Sequence, residues 1–114
     1  MEIGRAGEVA ALEHYRRAGY RVVARNWRCR LGEIDLVVAK GSVLVFCEVK
    51  ARRSLGLGGP YEAVDWRKQR KLRILAEAFL GASSEPADMV RFDVASVTLD
   101  ARGSPSIFVF EGAF

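Results

Sequence analysis

Hydrophobic positions recur with two different periods along this 114-residue chain, and the periods predict its elements. Apolar residues spaced three and four apart predict a helix over residues 4–18, with Val9, Leu12 and either Tyr15 or Ala11 on its buried side. Short apolar runs between glycine-rich or polar stretches predict strands elsewhere.

The predicted elements follow the order α-β-β-β-α-β-β. The strands are assigned to residues 20–24, 33–38, 45–50, 91–99 and 106–110, and the second helix runs from Pro60 to about Leu80, with Gly81 as its stop. The connections are a basic segment at 26–32, a turn within 39–42, a glycine-rich loop at 54–60, a polar loop at 83–88 and a turn at 100–103. A mixed central β-sheet flanked by helices is the economical arrangement, which predicts one α/β domain over residues 1–114.

Three charged side chains interrupt the apolar runs of the central hairpin. Asp35 lies in its first strand, and Glu48 and Lys50 lie in its second. Charged side chains are rarely buried unless they are paired or bind a metal ion. The hairpin therefore predicts either a metal site or a cross-strand salt-bridge cluster on an exposed face of the sheet.

The turn decides whether these side chains meet. A two-residue loop at 40–41 makes the numbers of paired residues sum to about 81, and a loop at 41–42 makes them sum to about 83. In the second register Asp35 lies opposite Glu48, and in the first it lies one diagonal step away. Both registers put Asp35, Glu48 and Lys50 on one face, whereas an odd-length loop would separate Asp35 from the other two.

The residue types favour Mg²⁺ chemistry. Carboxylates are hard oxygen ligands that Mg²⁺ prefers, and waters and phosphate oxygens complete its shell. Asp35 and Glu48 could grip the ion between two strands, with the Val49 carbonyl as a further ligand. Lys50 would point into the same pocket, where it could orient or deprotonate the attacking water or stabilise charge on the phosphate.

An ordered set of motifs resembles a known family. Asp35, a spacer and Glu48-Val49-Lys50 resemble the D…ExK core of the restriction-endonuclease-like superfamily. The chain is similar to the bacterial YraN family in Gly32-Glu33-Ile34-Asp35-Leu36, Phe46-Cys47-Glu48-Val49-Lys50-Ala51-Arg52 and Arg91-Phe92-Asp93-Val94, and also in Gly4-x-x-Gly7-Glu8-x-x-Ala11, Gly19-Tyr20, Asn26, Ala63-Val64 and Lys68. The resemblance covers roughly the whole chain, and it implies a restriction-endonuclease-like fold and a nuclease site.

The resemblance also implies residues that complete the site. Archaeal Holliday-junction resolvases share the fold and carry an acidic residue on the first helix, where Glu8 lies here. The alternative for Glu8 is a favourable interaction with the helix dipole. Lys68 and Gln69 lie where many members carry a helix residue that supports the catalytic lysine. Cys47 replaces a commoner aliphatic residue and is predicted to face away from the site.

Two further acids are predicted to lie outside the ligand set. Glu33 is expected to be solvated, with a supporting role at the site as the alternative. Asp93 alternates with apolar residues on a strand and is expected to be the structural partner of an arginine.

Charge adds a polyanionic partner to this picture. The formal net charge is +4 and the sequence pI is about 9.4. Nucleic-acid contacts are predicted for Arg28, Arg30, Arg52, Arg53, Arg67, Lys68, Gln69, Arg70 and Lys71, with a plain solvated face as the alternative. Trp27 and Trp66 are candidates for stacking on unpaired bases, although packing is expected for at least one of them.

Cysteine usage and hydropathy indicate a cytoplasmic protein. Cys29 and Cys47 form no CxxC pair and are predicted to be reduced thiols. No apolar run approaches the length of a membrane span, and the N-terminus lacks the apolar core of a signal peptide.

These features predict an endonuclease that depends on Mg²⁺ or Mn²⁺ and acts on DNA, with branched or otherwise structured DNA as the candidate substrate. One alternative is a non-catalytic nucleic-acid-binding module with the same fold, and another is an assembly protein whose acidic cluster is structural. Related resolvases act as two-fold dimers, so a homodimer is predicted. Its candidate interface is the apolar strand at 107–110, unless the protein's own helices bury that strand.

Overall fold

A computed structural model of the chain describes residues 3–54 and 64–114. Within these residues the chain forms two helices and five strands in the predicted order: α1 (Ile3–Arg17), β1 (Arg21–Cys29), β2 (Gly32–Lys40), β3 (Val43–Arg53), α2 (Trp66–Ala82), β4 (Met89–Leu99) and β5 (Pro105–Phe110). Most of the predicted glycine-rich loop, and Pro60 with it, lies outside the described residues. Neither described helix is both long and apolar enough to cross a membrane.

The strands form one mixed sheet in the spatial order β1-β2-β3-β4-β5. The pair β3–β4 is parallel, and the other neighbouring pairs are antiparallel. A parallel pair needs a crossover connection, and the connection between β3 and β4 contains α2. This architecture confirms the predicted α/β fold class.

Each face of the sheet carries its own hydrophobic core. On one face, Phe79 of α2 makes edge-to-face contacts with Phe46 at 5.6 Å and with Trp27 at 5.3 Å between ring centroids. On the other face, Leu12 and Tyr15 of α1 pack in a cluster that includes Cys47. The two helices therefore cover opposite faces, which are called the α2 face and the α1 face below.

A buried ion pair anchors the α1 face, as the sequence predicted for Asp93. The Asp93 carboxylate is fully buried and accepts two hydrogen bonds from the Arg91 guanidinium, at 2.8 and 2.9 Å. It also accepts hydrogen bonds from the Tyr15 hydroxyl at 2.7 Å and from the Gly112 N–H at 3.0 Å. Because hydrogen bonds from within the fold satisfy this buried carboxylate, Asp93 has a structural role.

The second helix begins later than the sequence predicted. Val64 and Asp65 lie outside it, and the Asp65 carboxylate accepts a hydrogen bond from the Lys68 N–H at 3.0 Å, as the N-cap of a helix starting at Trp66. Gly81 does not stop the helix, which continues to Ala82.

Two further predictions are wrong in detail. Val9 is 39% exposed, whereas Leu12, Tyr15 and Ala11 are buried as predicted, together with Gly7. The segment predicted to be a basic connection is strand as far as Cys29.

Candidate metal and nucleic-acid site

The central hairpin adopts the second of the two predicted registers. Leu36 pairs with Cys47, and the pairing continues in the same register to Lys40 and Val43, which flank the turn at Gly41 and Ser42. Gly41 has φ 59°, a left-handed conformation that glycine adopts without steric cost. A two-residue turn at this position is one of the two predicted turns that put Asp35 and Glu48 on the same face of the hairpin.

Asp35 lies where the ladder between β2 and β3 ends. Its carboxylate oxygen Oδ2 accepts a hydrogen bond from the Val49 N–H at 2.8 Å. Ile34 belongs to the core on the α2 face, whereas Leu36 belongs to the core on the α1 face. Residues two apart share a face in a regular strand, so β2 bends at Asp35, and this bend rather than simple alternation positions the carboxylate.

The neighbouring strand bends at the same level. Arg25 pairs with Leu36 and Trp27 pairs with Ile34, which places Asn26 between them. Asn26 has φ 49°, and asparagine tolerates this left-handed conformation better than most residues. The bend of the β1–β2 pair therefore has a local cause in the sequence.

Glu48 and Lys50 line a cleft of about 450 Å³, together with Glu8 of α1 and Lys68 of α2. Along β3 they alternate with Val49, which packs against the core on the α1 face. The cleft thus brings together side chains from three separate elements. Of the predicted site residues, Glu8, Glu48 and Lys50 line it, and Asp35 does not.

Helix α1 reaches this cleft because of one glycine. A Cβ atom added to Gly7 would lie 2.6 Å from the Cβ of Ala51, which is closer than real Cβ contacts. A side chain at residue 7 would therefore push α1 away from β3. The close approach places the next residue, Glu8, in the cleft.

Burial and the neighbouring acids raise the pKa of Asp35. Burial is the largest cause, the hydrogen bond from Val49 acts in the opposite direction, and the charges of Glu48, Glu8 and Glu33 raise the pKa further, to about 7. Asp35 therefore carries an electrostatic penalty when it is ionised, which a bound cation would relieve.

Two lysines oppose the effect of burial on the pKa of Glu48. Burial raises the pKa of the Glu48 carboxyl, while the charges of Lys68 and Lys50 act to lower it. Burial and the neighbouring Lys68 ammonium lower the pKa of Lys50, and Glu48 and Asp65 oppose that shift. A lysine with a lowered pKa gives up its proton more readily than an exposed one.

Glu33 has more partners than a solvated residue. Its carboxylate accepts hydrogen bonds from the Asn26 amide at 3.1 Å and from the Arg28 guanidinium at 3.0 Å. Its charge also raises the pKa of Asp35, although by less than burial, Glu48 and Glu8 do. The sequence signal for this role was the placement of Glu33 two residues before Asp35.

Ser96 is a cleft residue that the sequence did not single out. It lines the cleft and pairs with Lys50 in the parallel ladder between β3 and β4. A small polar residue inside the apolar run of β4 was the available signal.

Two of the predicted nucleic-acid residues line the cleft, one on β3 and one on α2. Arg52 lines it, and Arg53 is exposed at the end of β3. On α2, Arg67, Lys68, Arg70 and Lys71 are exposed, and the Gln69 amide donates a hydrogen bond to the Val64 carbonyl at 2.8 Å.

The basic turn between β1 and β2 joins this surface. A Cβ atom added to Gly32 would lie 3.2 Å from Cε of Lys71, so the turn lies beside α2. Arg30 is exposed at the turn, and the charge of Arg28 is paired with Glu33. Basic side chains therefore lie both at this turn and along α2, which reaches the cleft through Lys68.

Cys47 lies away from the cleft, as predicted. It is fully buried on the α1 face, and burial raises the pKa of its thiol to about 12. Neither Cys29 nor Cys47 forms a disulfide.

The fold and the cleft define a class: a mixed α/β protein with an acidic and basic cleft at the end of its central hairpin. The chain belongs to uncharacterised protein family UPF0102, whose model matches residues 7–97. That range contains Glu8, Asp35, Glu48 and Lys50. The predicted membership of the YraN family is confirmed.

Relatives match nearly the full length of the chain. A UPF0102 protein of Rhodococcus opacus (strain B4) is 44% identical over 114 residues, which are 100% of this chain and 97% of the relative. One of Moorella thermoacetica is 45% identical over 112 residues, covering 97% of this chain and 93% of the relative. One of Caldicellulosiruptor saccharolyticus is 43% identical over 101 residues, covering 89% and 86%.

Proposed function

We propose that this protein is a metal-dependent endonuclease that hydrolyses phosphodiester bonds in DNA, with branched or otherwise structured DNA as its substrate. The observation that carries the proposal is the burial of the Asp35 carboxyl together with its raised pKa. That carboxyl is half-buried, and its pKa is raised to about 7 by burial first and then by the charges of three other acids. An arrangement that disfavours its own ionised state is typical of a functional site rather than of a stabilising ion-pair cluster.

The donor set fits a magnesium or manganese ion whose shell is completed by other ligands. Residues 3–54 and 64–114 contain no group of three or more histidine, cysteine, aspartate or glutamate side chains that could hold a metal ion. An ion bound here would therefore need ligands from outside the protein. Mg²⁺ is commonly bound through one or two carboxylates, with waters and substrate phosphates completing the shell. Asp35 and Glu48 would supply these carboxylates and Glu8 would lie near them. The bound ion would polarise the phosphodiester and make a water molecule more acidic.

Lys50 would act on the attacking water. It lies on the same strand as Glu48, lines the same cleft, and has a pKa lowered by burial and by Lys68. A lysine of this kind can orient the water or accept its proton, while Lys68 supplies fixed positive charge for the phosphate.

A nuclease screen tests the proposal. Duplex, single-stranded, flapped and four-way DNA would be incubated with the protein and Mn²⁺ or Mg²⁺. Cleavage should fall by orders of magnitude in Asp35→Asn and in Lys50→Ala, because metal binding or activation of water is lost. Asp88→Asn and Lys40→Ala remove the same charges at exposed positions and should cleave as wild type does. Equal cleavage by Asp35→Asn and wild type would contradict the proposal.

The second candidate is a nucleic-acid-binding module without catalysis. The absence of a three-carboxylate group among the described residues favours it, because such a group would hold a metal ion without help from the substrate. Calorimetric titration with Mn²⁺ separates the two candidates. The nuclease should take up the ion weakly alone and more tightly with uncleavable DNA, whereas the module should bind DNA equally well with or without the ion.

A homodimer is part of the proposal. Among the described residues, the edge strand β5 pairs only with β4, and Phe108 on it is 51% exposed. Ile107 and Val109 pack against the core on the α1 face, so the protein's own helix covers only half of this strand. Pairing with a second copy would cover the rest and would place two clefts on one branched substrate.

A further inference from the structure

Trp66 is the most exposed of the large hydrophobic side chains in the part of the chain that the structure describes. It exposes 64% of its surface at the first position of α2. The other tryptophan, Trp27, packs edge-to-face against Phe79. Packing therefore accounts for Trp27 and leaves the exposure of Trp66 to be explained.

The surroundings of Trp66 favour a negatively charged partner. The Arg67 guanidinium lies over the indole ring, 5.3 Å from its centroid, in cation–π geometry. Arg70 and Lys71 follow on the same helix and are exposed. A flat aromatic surface among cations matches the combination of bases and phosphates in a nucleic acid more closely than an apolar protein surface.

Trp66 lies in sequence between two residues that act at the cleft. Asp65, the preceding residue, is close enough to Lys50 for their charges to interact. Lys68, two residues further along, lines the cleft. Two residues advance an α-helix by about 3 Å along its axis and turn it by about 200°, so Trp66 and Lys68 project from different sides of the first turn of α2. A base stacked on Trp66 would therefore lie about one helix diameter, about 10 Å, from the cleft, within reach of the same DNA strand.

We propose that Trp66 stacks on an unpaired base of a DNA strand that passes from the cleft across the start of α2, so that the protein prefers DNA with an unpaired base to continuous duplex. This inference rests on the proposed function and names the substrate feature that the site reads. Bases inside a duplex are already stacked and paired and offer no free face, whereas bases at gaps, flaps and junctions do. Stacking on an aromatic side chain accepts any base, so the preference is for structure and not for sequence.

Binding measurements without metal ions test the inference, because they separate recognition from cleavage. In EDTA, wild type should bind a gapped duplex more tightly than a continuous duplex of the same length. Trp66→Ala should weaken binding to the gapped duplex by about five-fold or more and leave binding to the continuous duplex unchanged. Trp66→Phe should retain most of the preference. Trp27→Phe is the matched control and should retain all of it.

Fluorescence gives a second readout. In Trp27→Phe, Trp66 is the remaining tryptophan, and its emission should be quenched by a single-stranded oligonucleotide and much less by continuous duplex. In Trp66→Phe the remaining Trp27 should respond to neither.

The possible failures are distinguishable. If wild type binds no DNA, the proposed function fails and this inference fails with it. If wild type binds DNA and Trp66→Ala keeps the same ratio of affinities, the inference alone is overturned. Emission from Trp66 that changes with protein concentration in the absence of DNA would also overturn it, because a second copy would then cover the ring.

Discussion

The backbone N–H of Val49 donates a hydrogen bond to the Asp35 carboxylate at 2.8 Å. This bond favours the ionised carboxylate, yet burial and the neighbouring acids outweigh it and raise the pKa of Asp35 from 3.8 to about 7. The folded, metal-free protein therefore retains a proton at Asp35 under conditions in which the unfolded chain has released it.

Stability should consequently depend on pH through Asp35. A raised folded-state pKa makes a stabilising contribution that is complete below pH 3.8 and is lost as the pH rises to about 7. Asp35→Asn keeps an oxygen for the Val49 N–H and does not titrate. In EDTA, the variant should gain stability relative to wild type between these pH values, on the order of 2 kcal/mol after solvent screening. Urea unfolding at several pH values measures this difference.

The exposed carboxylate of Asp88 provides the control, and Asp88→Asn should follow the wild-type curve. Added Mn²⁺ should stabilise wild type at pH 8 and leave Asp35→Asn unchanged. A constant stability difference between Asp35→Asn and wild type across the whole pH range would show that Asp35 does not titrate as described.

Affinity for DNA should depend on salt through α2. Each phosphate contact contributes about 0.9 to the slope of log affinity against log salt, so Arg67→Ala with Arg70→Ala should flatten the slope by about 1.8. Binding should weaken for all sequences alike. Arg16→Ala with Arg17→Ala removes the same charge from α1 and should leave the slope nearly unchanged. Equal slopes for the two double variants would assign Arg67 and Arg70 to a solvated face.

Self-association should depend on Phe108. Its ring lies 4.5 Å from that of Phe110 and is half exposed on an edge strand, so Phe108→Asp would place a charge in the proposed interface. Analytical ultracentrifugation should show a dimer for wild type and a monomer for the variant. Leu31→Asp removes another exposed apolar side chain and should remain a dimer. A monomeric wild type at high concentration would refute the dimer.

The buried network at Asp93 should dominate the stability of the α1 face. Tyr15→Phe removes a hydrogen bond to a buried carboxylate and should cost about 1.5–3 kcal/mol in the free energy of unfolding. Tyr20→Phe is the matched control, because the Tyr20 hydroxyl accepts a hydrogen bond from Arg91 at a half-buried position. The Tyr20 variant should lose clearly less, and a larger loss there would contradict the central role of Asp93.

The sequence alone determined the order of the elements and the chemistry of the hairpin. Apolar periodicity is a property of neighbouring residues, and so is the presence of a turn within residues 39–42, so both could be predicted without tertiary contacts. The sequence left two positions open for this turn, and the structure places it at Gly41 and Ser42. The structural role of Asp93 could also be predicted, because a charge between apolar strand residues needs a partner.

Only the tertiary structure decided how the site is assembled. Glu8 of α1 and Lys68 of α2 meet Glu48 and Lys50 of β3 in one cleft. Gly7 lets α1 approach Ala51, and Tyr15 reaches Asp93 across 78 residues of sequence. These contacts join residues that are far apart in the chain, and their geometry depends on how whole elements pack, which local patterns do not encode.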